Sequence, residues 1–166
     1  MIIGLTGKAG AGKSTVANWL MRERGYKLHK FAEPLKNMLL CLGLDERHTE
    51  GFLKEAPCAL LGGNSPRYAM QTLGTEWGRD LISPTLWIDA WAKTLSDGNV
   101  VCDDLRFDNE FDAIKDRGGI VIEIVGSNNS LDAHESEKGL DRTPDIIIYN
   151  TGTIEQLKEK IDVQGW

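Results

Sequence analysis

The segment Gly7-Lys8-Ala9-Gly10-Ala11-Gly12-Lys13-Ser14, entered from the apolar run Met1–Leu5, constrains this chain more than any other stretch. It fits the pattern G-x-x-x-x-G-K-[ST] without a gap. Glycines let such a loop turn tightly, so that successive backbone N–H groups converge on a β-phosphate. Lys13 then bridges the β- and γ-phosphates, and Ser14 offers its hydroxyl to Mg²⁺. A helix beginning at Lys13 brings the positive end of its dipole to the same place. With a strand before it and a helix after it, the loop reads as a nucleoside triphosphate site; the alternative is a plain Gly-rich turn.

The whole chain suits one domain, residues 1–166. Hydrophobic residues make up 41% and charged residues 27%, as in an average soluble globular protein. A chain of 166 residues can bury enough surface to need no disulfide or metal staple. The formal charge of −6 argues against a partner made of polymeric nucleic acid. Cys41, Cys58 and Cys102 form no C-x-x-C pair and read as free thiols of a reducing compartment. The opening MIIGLTG is too short for a signal peptide, and no run approaches the ~20 apolar residues of a membrane span. A cytoplasmic protein without a membrane partner is expected.

The pattern of elements is read as follows. Met1–Leu5 is a strand, and Lys13–Arg24 a helix with Val16, Trp19 and Leu20 on its apolar face. Tyr26–Phe31 is a second strand, and Pro34–Leu42 a helix with proline in its first turn. The stretch from 43 to 64 has no clear period. Ser65 is an N-cap and Pro66 the first residue of a helix to Leu81, with Met70, Leu73, Trp77 and Leu81 on one stripe. Thr85–Leu95 is a further helix with Trp87 and Trp91 one turn apart. Val100–Cys102, Ile120–Val125 and Ile146–Tyr149 are strands, separated by helix Asn109–Arg117 and followed by helix Thr153–Ile161. Strands alternating with helices predict an α/β fold, a five-stranded parallel sheet with helices on both faces. The polar stretch from about 126 to 144 has the profile of a lid.

A triphosphate site needs a carboxylate to help hold its metal. The strand Val100–Cys102 ends in Asp103-Asp104, and since neighbouring strand residues face opposite ways, one of the two acids is expected to face the phosphates. Solvated acids closing a strand are the alternative. Arg67, Gln71, Thr75 and Arg79 recur every four residues as a polar ridge. Arg106 lies just past Asp104 at the carboxyl end of a strand, where open α/β sheets bind ligands. Arginine forks suit phosphate oxygens, although any one of these could be a surface ion-pair partner.

The chain resembles the phage-type deoxynucleoside monophosphate kinases. The resemblance rests on Ile3-Gly4-Leu5-Thr6-Gly7 with the loop, Phe31-Ala32-Glu33-Pro34-Leu35-Lys36, Ser65-Pro66-Arg67, Gln71 through Glu76 and Gly78-Arg79. Further along it rests on Asp104-Leu105-Arg106-Phe107 with Asn109-Glu110, His134-Glu135-Ser136-Glu137, and Asp145 with Asn150 through Thr153. Dephospho-CoA kinases share the opening but would carry a D-x-P-L-L-type sequence at Asp104, which is absent here. Gly126-Ser127 departs from the family pattern, where an arginine is expected; the lid's positive charge then falls to Lys138 or Arg142.

This resemblance implies a three-layer P-loop kinase fold with a lid. It also implies transfer of the ATP γ-phosphate to a deoxynucleoside monophosphate for DNA precursor supply, with Mg²⁺ present. Ala9, Gly10, Ala11, Gly12, Lys13, Ser14 and Thr15 are assigned to ATP, and Asn150 to the neighbourhood of its adenine. Ser14 and Asp104 are assigned to the metal. Arg67, Arg79 and Arg106 are assigned to the acceptor phosphate and the transferring group, with Arg142 as a lid cation. Phe31 and Trp87 are candidates for stacking on the acceptor base, with Gln71 reading its edge; as core residues, both aromatics would do neither. Lys36 either reaches the acceptor phosphate or solvates its helix face. His134 is read as structural or hydrogen-bonded to Glu137, with a catalytic base as the alternative. The acceptor-binding region is expected over about 32–97. A homodimer, a viral source and a place in the host cytoplasm are implied by the resemblance alone. A different small-molecule kinase of the dephospho-CoA kinase kind, or a nucleotide-binding module without transfer activity, are the alternatives.

Overall fold

Short runs of Ile, Val and Leu, apolar on both faces, suit strands covered from both sides. Five of them pair in parallel in the computed structural model of the chain, which describes residues 1–126, 140–163 and 165. The strands are β1 (Ile2–Thr6), β2 (Lys27–Leu28), β3 (Val100–Cys102), β4 (Ile120–Gly126) and β5 (Ile146–Asn150), in the order β2-β3-β1-β4-β5. The helices are α1 (Lys13–Arg24), α2 (Glu33–Cys41), α3 (Glu46–Thr49), α4 (Pro66–Thr72), α5 (Leu86–Thr94), α6 (Asp108–Lys115) and α7 (Ile154–Asp162). A π-helical segment, Leu73–Ile82, continues α4, and a 3₁₀ turn covers Ala59–Leu61.

The chain divides into two compact units, one formed by 1–31 with 94–166 and the other by 32–93. In the first, Ile3 and Leu5 of β1, Val101 of β3, and Ile122 and Ile124 of β4 pack with Val16 and Leu20 of α1 and Leu157 and Ile161 of α7. The opposite face is closed by α6, whose Ile114 comes so near Gly4 that a Cβ there would lie 2.5 Å from its side chain. In the second unit Leu35, Leu39, Leu44, Met70 and Trp87 form a separate core. Cys41, Cys58 and Cys102 are free thiols. Among the described residues no helix is long and apolar enough to cross a membrane.

Two expectations about elements are corrected. The second strand is shorter than Tyr26–Phe31. His29 N–H still donates to Val101 O at 3.0 Å, but Phe31 N–H is taken by the Asp104 side chain, which turns the chain off the sheet. The helix from Ser65 starts as expected, with Ser65 Oγ accepting from Tyr68 N–H at 3.2 Å. It does not stay α-helical to Leu81. From Leu73 it widens to π winding, and Ser83 N–H donates five residues back to Gly78 O at 2.9 Å. The Trp87 indole presses on Gly78, where a Cβ would lie 2.6 Å from the ring, and its Nε1–H donates to Gly74 O at 2.7 Å. A side chain engaging the backbone ladder is a recognised cause of altered winding. The 100° step then fails: Leu81 is 75% exposed, whereas Arg79 is buried.

Asp145 ties the start of β5 to its neighbours. Its carboxylate accepts from Val121 N–H at 2.7 Å and from Lys115 Nζ at 2.6 Å, while its own N–H donates to Val121 O. Burial disfavours its charged form, but the Lys115 ammonium and the Val121 N–H outweigh this and hold its carboxyl below the ordinary carboxylate range. Asp145→Asn is expected to lower the unfolding free energy at pH 7 by about 1–2 kcal/mol, read from urea titrations. Because the folded-state value is depressed, the contribution is full above the unfolded value of about 4 and disappears as pH falls through the folded one. The gap between wild type and variant should therefore narrow below about pH 4. A gap that stays constant from pH 7 to pH 3 would remove the charge from this account.

Candidate functional site

The loop between β1 and α1 has three glycines at positive φ, Gly7 at 130°, Gly10 at 75° and Gly12 at 109°, and of these Gly7 and Gly12 are packed closely. Neither position has room for a side chain. A Cβ on Gly7 would lie 2.2 Å from Ile124 O, and one on Gly12 would lie 2.7 Å from Asn150 Nδ2. Lys8, Ala9 and Gly10 are exposed at the tip of the turn. Lys13 folds back over the loop, its Nζ donating to Gly7 O at 2.5 Å and Lys8 O at 2.9 Å. The ammonium is thus stationed on the loop's own carbonyls, a short exchange away from phosphate oxygens. Thr15, half-buried, follows in the first turn of α1.

The acid beside Ser14 is Asp103. Ser14 Oγ–H donates to Asp103 Oδ2 at 3.0 Å. Asp103 is only 7% exposed, and among the described residues its buried Oδ1 has no hydrogen-bond partner, the Lys30 ammonium standing 3.6 Å away. Asp104, assigned to the metal from the resemblance, instead accepts the Phe31 N–H on its Oδ1 at 3.1 Å. The alternation of β3 explains the choice. Val101 registers with Ile3 and shares the face that α1 covers, so Asp103, two residues on, continues toward Ser14. A buried carboxylate with an unsatisfied oxygen, paired with a hydroxyl at the end of a phosphate loop, fits Mg²⁺, which takes few protein ligands and completes its shell from phosphates and water. Lys30 is the residue that the sequence reading missed; its only signal was adjacency to Phe31 at a strand end.

Arg106 leaves β3 on a backbone fixed by Glu110. The Glu110 Oε2 accepts N–H bonds from Arg106 at 2.9 Å and Phe107 at 3.2 Å, and the residue is 3% exposed. An acidic side chain reaching back to free amides at a helix start is a capping arrangement, legible in the Arg106-to-Glu110 spacing.

The other site candidates fall into distinct surroundings. In the second unit Lys36 Nζ pairs with Glu50 at 2.6 Å, and Arg67 pairs with Glu55. Gln71 is half-buried, and Arg79 is buried, its Nη1 donating to Pro84 O at 3.3 Å. The change of winding at Leu73 breaks the four-residue ridge, so Arg67 and Arg79 turn to different partners. Trp87, a candidate for base stacking, is 4% exposed with its N–H on Gly74 O, which makes it a core residue. Phe31 in the first unit is 2% exposed and is likewise core. Arg142 is held bidentately by Asp112, at 3.0 and 2.9 Å, on the exposed surface beside α6. Its guanidinium holds the Asp112 carboxyl below the usual range. His134, Lys138 and most of the expected lid lie outside the described residues. Asn150 touches the loop itself, its Nδ2–H donating to Ala11 O at 2.9 Å.

A parallel sheet in the order β2-β3-β1-β4-β5, with a phosphate loop after β1 and an acid after β3 beside the loop serine, defines a P-loop kinase. Solved structures with this fold include shikimate kinase from Aquifex aeolicus, with a TM-score of 0.51 at 17% identity over 99% of this chain and 95% of that one. A Thermus thermophilus protein, TT1252, gives a TM-score of 0.50 at 19% identity over 99% and 95%. Residues 63–161 match the family described as deoxynucleotide monophosphate kinase. A curated protein of Acanthamoeba polyphaga mimivirus, provisionally described as a deoxynucleotide monophosphate kinase, is 33% identical over 97% of this chain and 94% of its own length. The chain belongs to the deoxynucleotide monophosphate kinase family, and it is a nucleotide kinase by fold and family.

Proposed function

We propose that this chain transfers the γ-phosphoryl group of ATP to the phosphate of a deoxynucleoside monophosphate, giving the diphosphate and ADP. A new bond forms between an acceptor phosphate oxygen and the γ-phosphorus as the bond to the β–γ bridging oxygen breaks. The observation that carries the reading is the Ser14–Asp103 pair set against the phosphate loop in a chain of this family. Positioning and charge neutralisation do most of the work in such transfers. The loop N–H groups and the amino end of α1 bind the ATP phosphates. Lys13 moves from its carbonyls to the β- and γ-oxygens. Ser14 and Asp103 would hold Mg²⁺, which when bound neutralises charge on the β- and γ-phosphates.

Arg106 of the first unit is the proposed cation for the transferring group, and Arg67 of the second unit is a candidate for the acceptor phosphate. Arg67 can exchange Glu55 for phosphate at little loss, because an exposed ion pair is worth only about 0–1 kcal/mol. Arg79 anchors the π-helical segment, and Gln71 remains the candidate for the base edge. Lys36, already paired with Glu50, is a candidate for the acceptor side.

The test is a panel of the four deoxynucleoside monophosphates with ATP and Mg²⁺, scored by ADP release and product mass. At least one is expected to give its diphosphate. ADP release that does not depend on any acceptor would overturn the assignment and move it to another substrate class.

A further inference from the structure

The Ala11–Gly12 peptide is gripped by the carboxyl ends of β4 and β5. Ala11 is 2% exposed, and its carbonyl accepts the Asn150 Nδ2–H at 2.9 Å. Gly126, the register partner of Asn150 across β4 and β5, lies directly against it. A Cβ on Gly126 would come within 2.8 Å of Ala11 Cα. Gly12 fills the remaining space: a Cβ there would strike Asn150 Nδ2 at 2.7 Å and approach Leu157 of α7 at 3.3 Å. The carboxyl ends of β4 and β5 thus form a seat for one peptide of the phosphate loop.

That seat has a directional consequence. In a planar trans peptide the C=O and N–H point to opposite sides. Drawing the Ala11 carbonyl toward Asn150 turns the Gly12 N–H away from the sheet end and toward the concave side of the loop. We propose that Asn150 is a positioning residue that fixes the Gly12 N–H as a phosphate donor, acting through the Ala11 carbonyl rather than by touching the nucleoside. A carboxamide suits the task because it supplies an N–H donor without charge. An acid at the same place would repel both the carbonyl and the incoming phosphates. The inference rests on reading the loop as the triphosphate site, and it does not depend on which acceptor is phosphorylated.

The experiment measures binding of ADP and of inorganic tripolyphosphate to the full chain by calorimetry, with thermal unfolding followed in parallel. Asn150→Ala is expected to weaken both ligands by the same factor, about tenfold, the size of one hydrogen bond. Asn150→Asp keeps the shape of the side chain and removes the donor. It is expected to weaken both further and covers the case in which the alanine variant fails to fold. A loss confined to ADP would place Asn150 against the nucleoside and overturn the proposal. Unchanged binding of both ligands in a folded variant would overturn it as well. Failure of the proposed reaction would show separately, as wild-type protein that binds ADP and phosphorylates no deoxynucleotide.

Discussion

Replacing Lys13 with methionine is expected to lower the rate of phosphoryl transfer at saturating ATP by about a thousandfold. The substitution keeps the unbranched stem and removes only the ammonium, so the loop's packing against Ile124 and Asn150 is left in place. In the free protein that ammonium satisfies the carbonyls of Gly7 and Lys8. Lys8 is exposed, so water can replace the lost donor there, and the thermal midpoint should move little. In the proposed reaction the ammonium would lie where charge builds on the bridging oxygen, and water-excluded sites magnify such contacts. Ground-state binding rests partly on the loop amides, so KM for ATP should rise far less than kcat falls. Lys13→Arg is expected to rescue poorly, because a planar fork cannot occupy the position of a compact ammonium between two carbonyls. A methionine variant that retains a tenth or more of the wild-type kcat would show that Lys13 does not bear on the transferring group.

How much of this was legible in the residues depends on how local each signal is. The loop needs only eight consecutive residues and the strand and helix that flank them, and the parallel order of strands follows from their alternation with helices. The π-helical segment is different in kind. It depends on the Trp87 indole reaching Gly74, thirteen residues earlier, and a helical period read along Ser65–Leu81 carries no trace of that contact. Phe31 and Trp87 illustrate a second limit. An aromatic side chain has the same spacing whether it stacks on a base or closes a core, and only burial separates the two. Arg142 meets Asp112 across thirty residues, and nothing in either neighbourhood announces the pair. The choice between Asp103 and Asp104 was decidable in principle. It required knowing which face of β3 lies under α1, and this follows once Val101 is registered with Ile3.

Exchanging each acid for its amide turns that choice into a measurement. Asp103→Asn keeps the size of the side chain, and its carbonyl can still accept from Ser14 Oγ. It removes the negative charge whose Oδ1 is buried without a hydrogen bond among the described residues and faces Lys30 at 3.6 Å. Without that charge, Lys30 and Lys13 have less to balance them near the loop, and a divalent cation would lose the carboxylate proposed to hold it. Transfer is expected to fall about a hundredfold at fixed Mg²⁺, and the Mg²⁺ concentration for half-maximal rate should rise about tenfold or more. Asp104→Asn can still accept the Phe31 N–H on its carbonyl oxygen, so the turn that ends β2 survives. Its rate should stay within about tenfold of wild type, with the Mg²⁺ midpoint unmoved. The reverse pattern, a shifted midpoint for Asp104→Asn and none for Asp103→Asn, would return the metal to Asp104 and would mean that β3 rotates its end when nucleotide binds. The two variants therefore separate a carboxylate that serves the metal from one that holds the neighbouring strand.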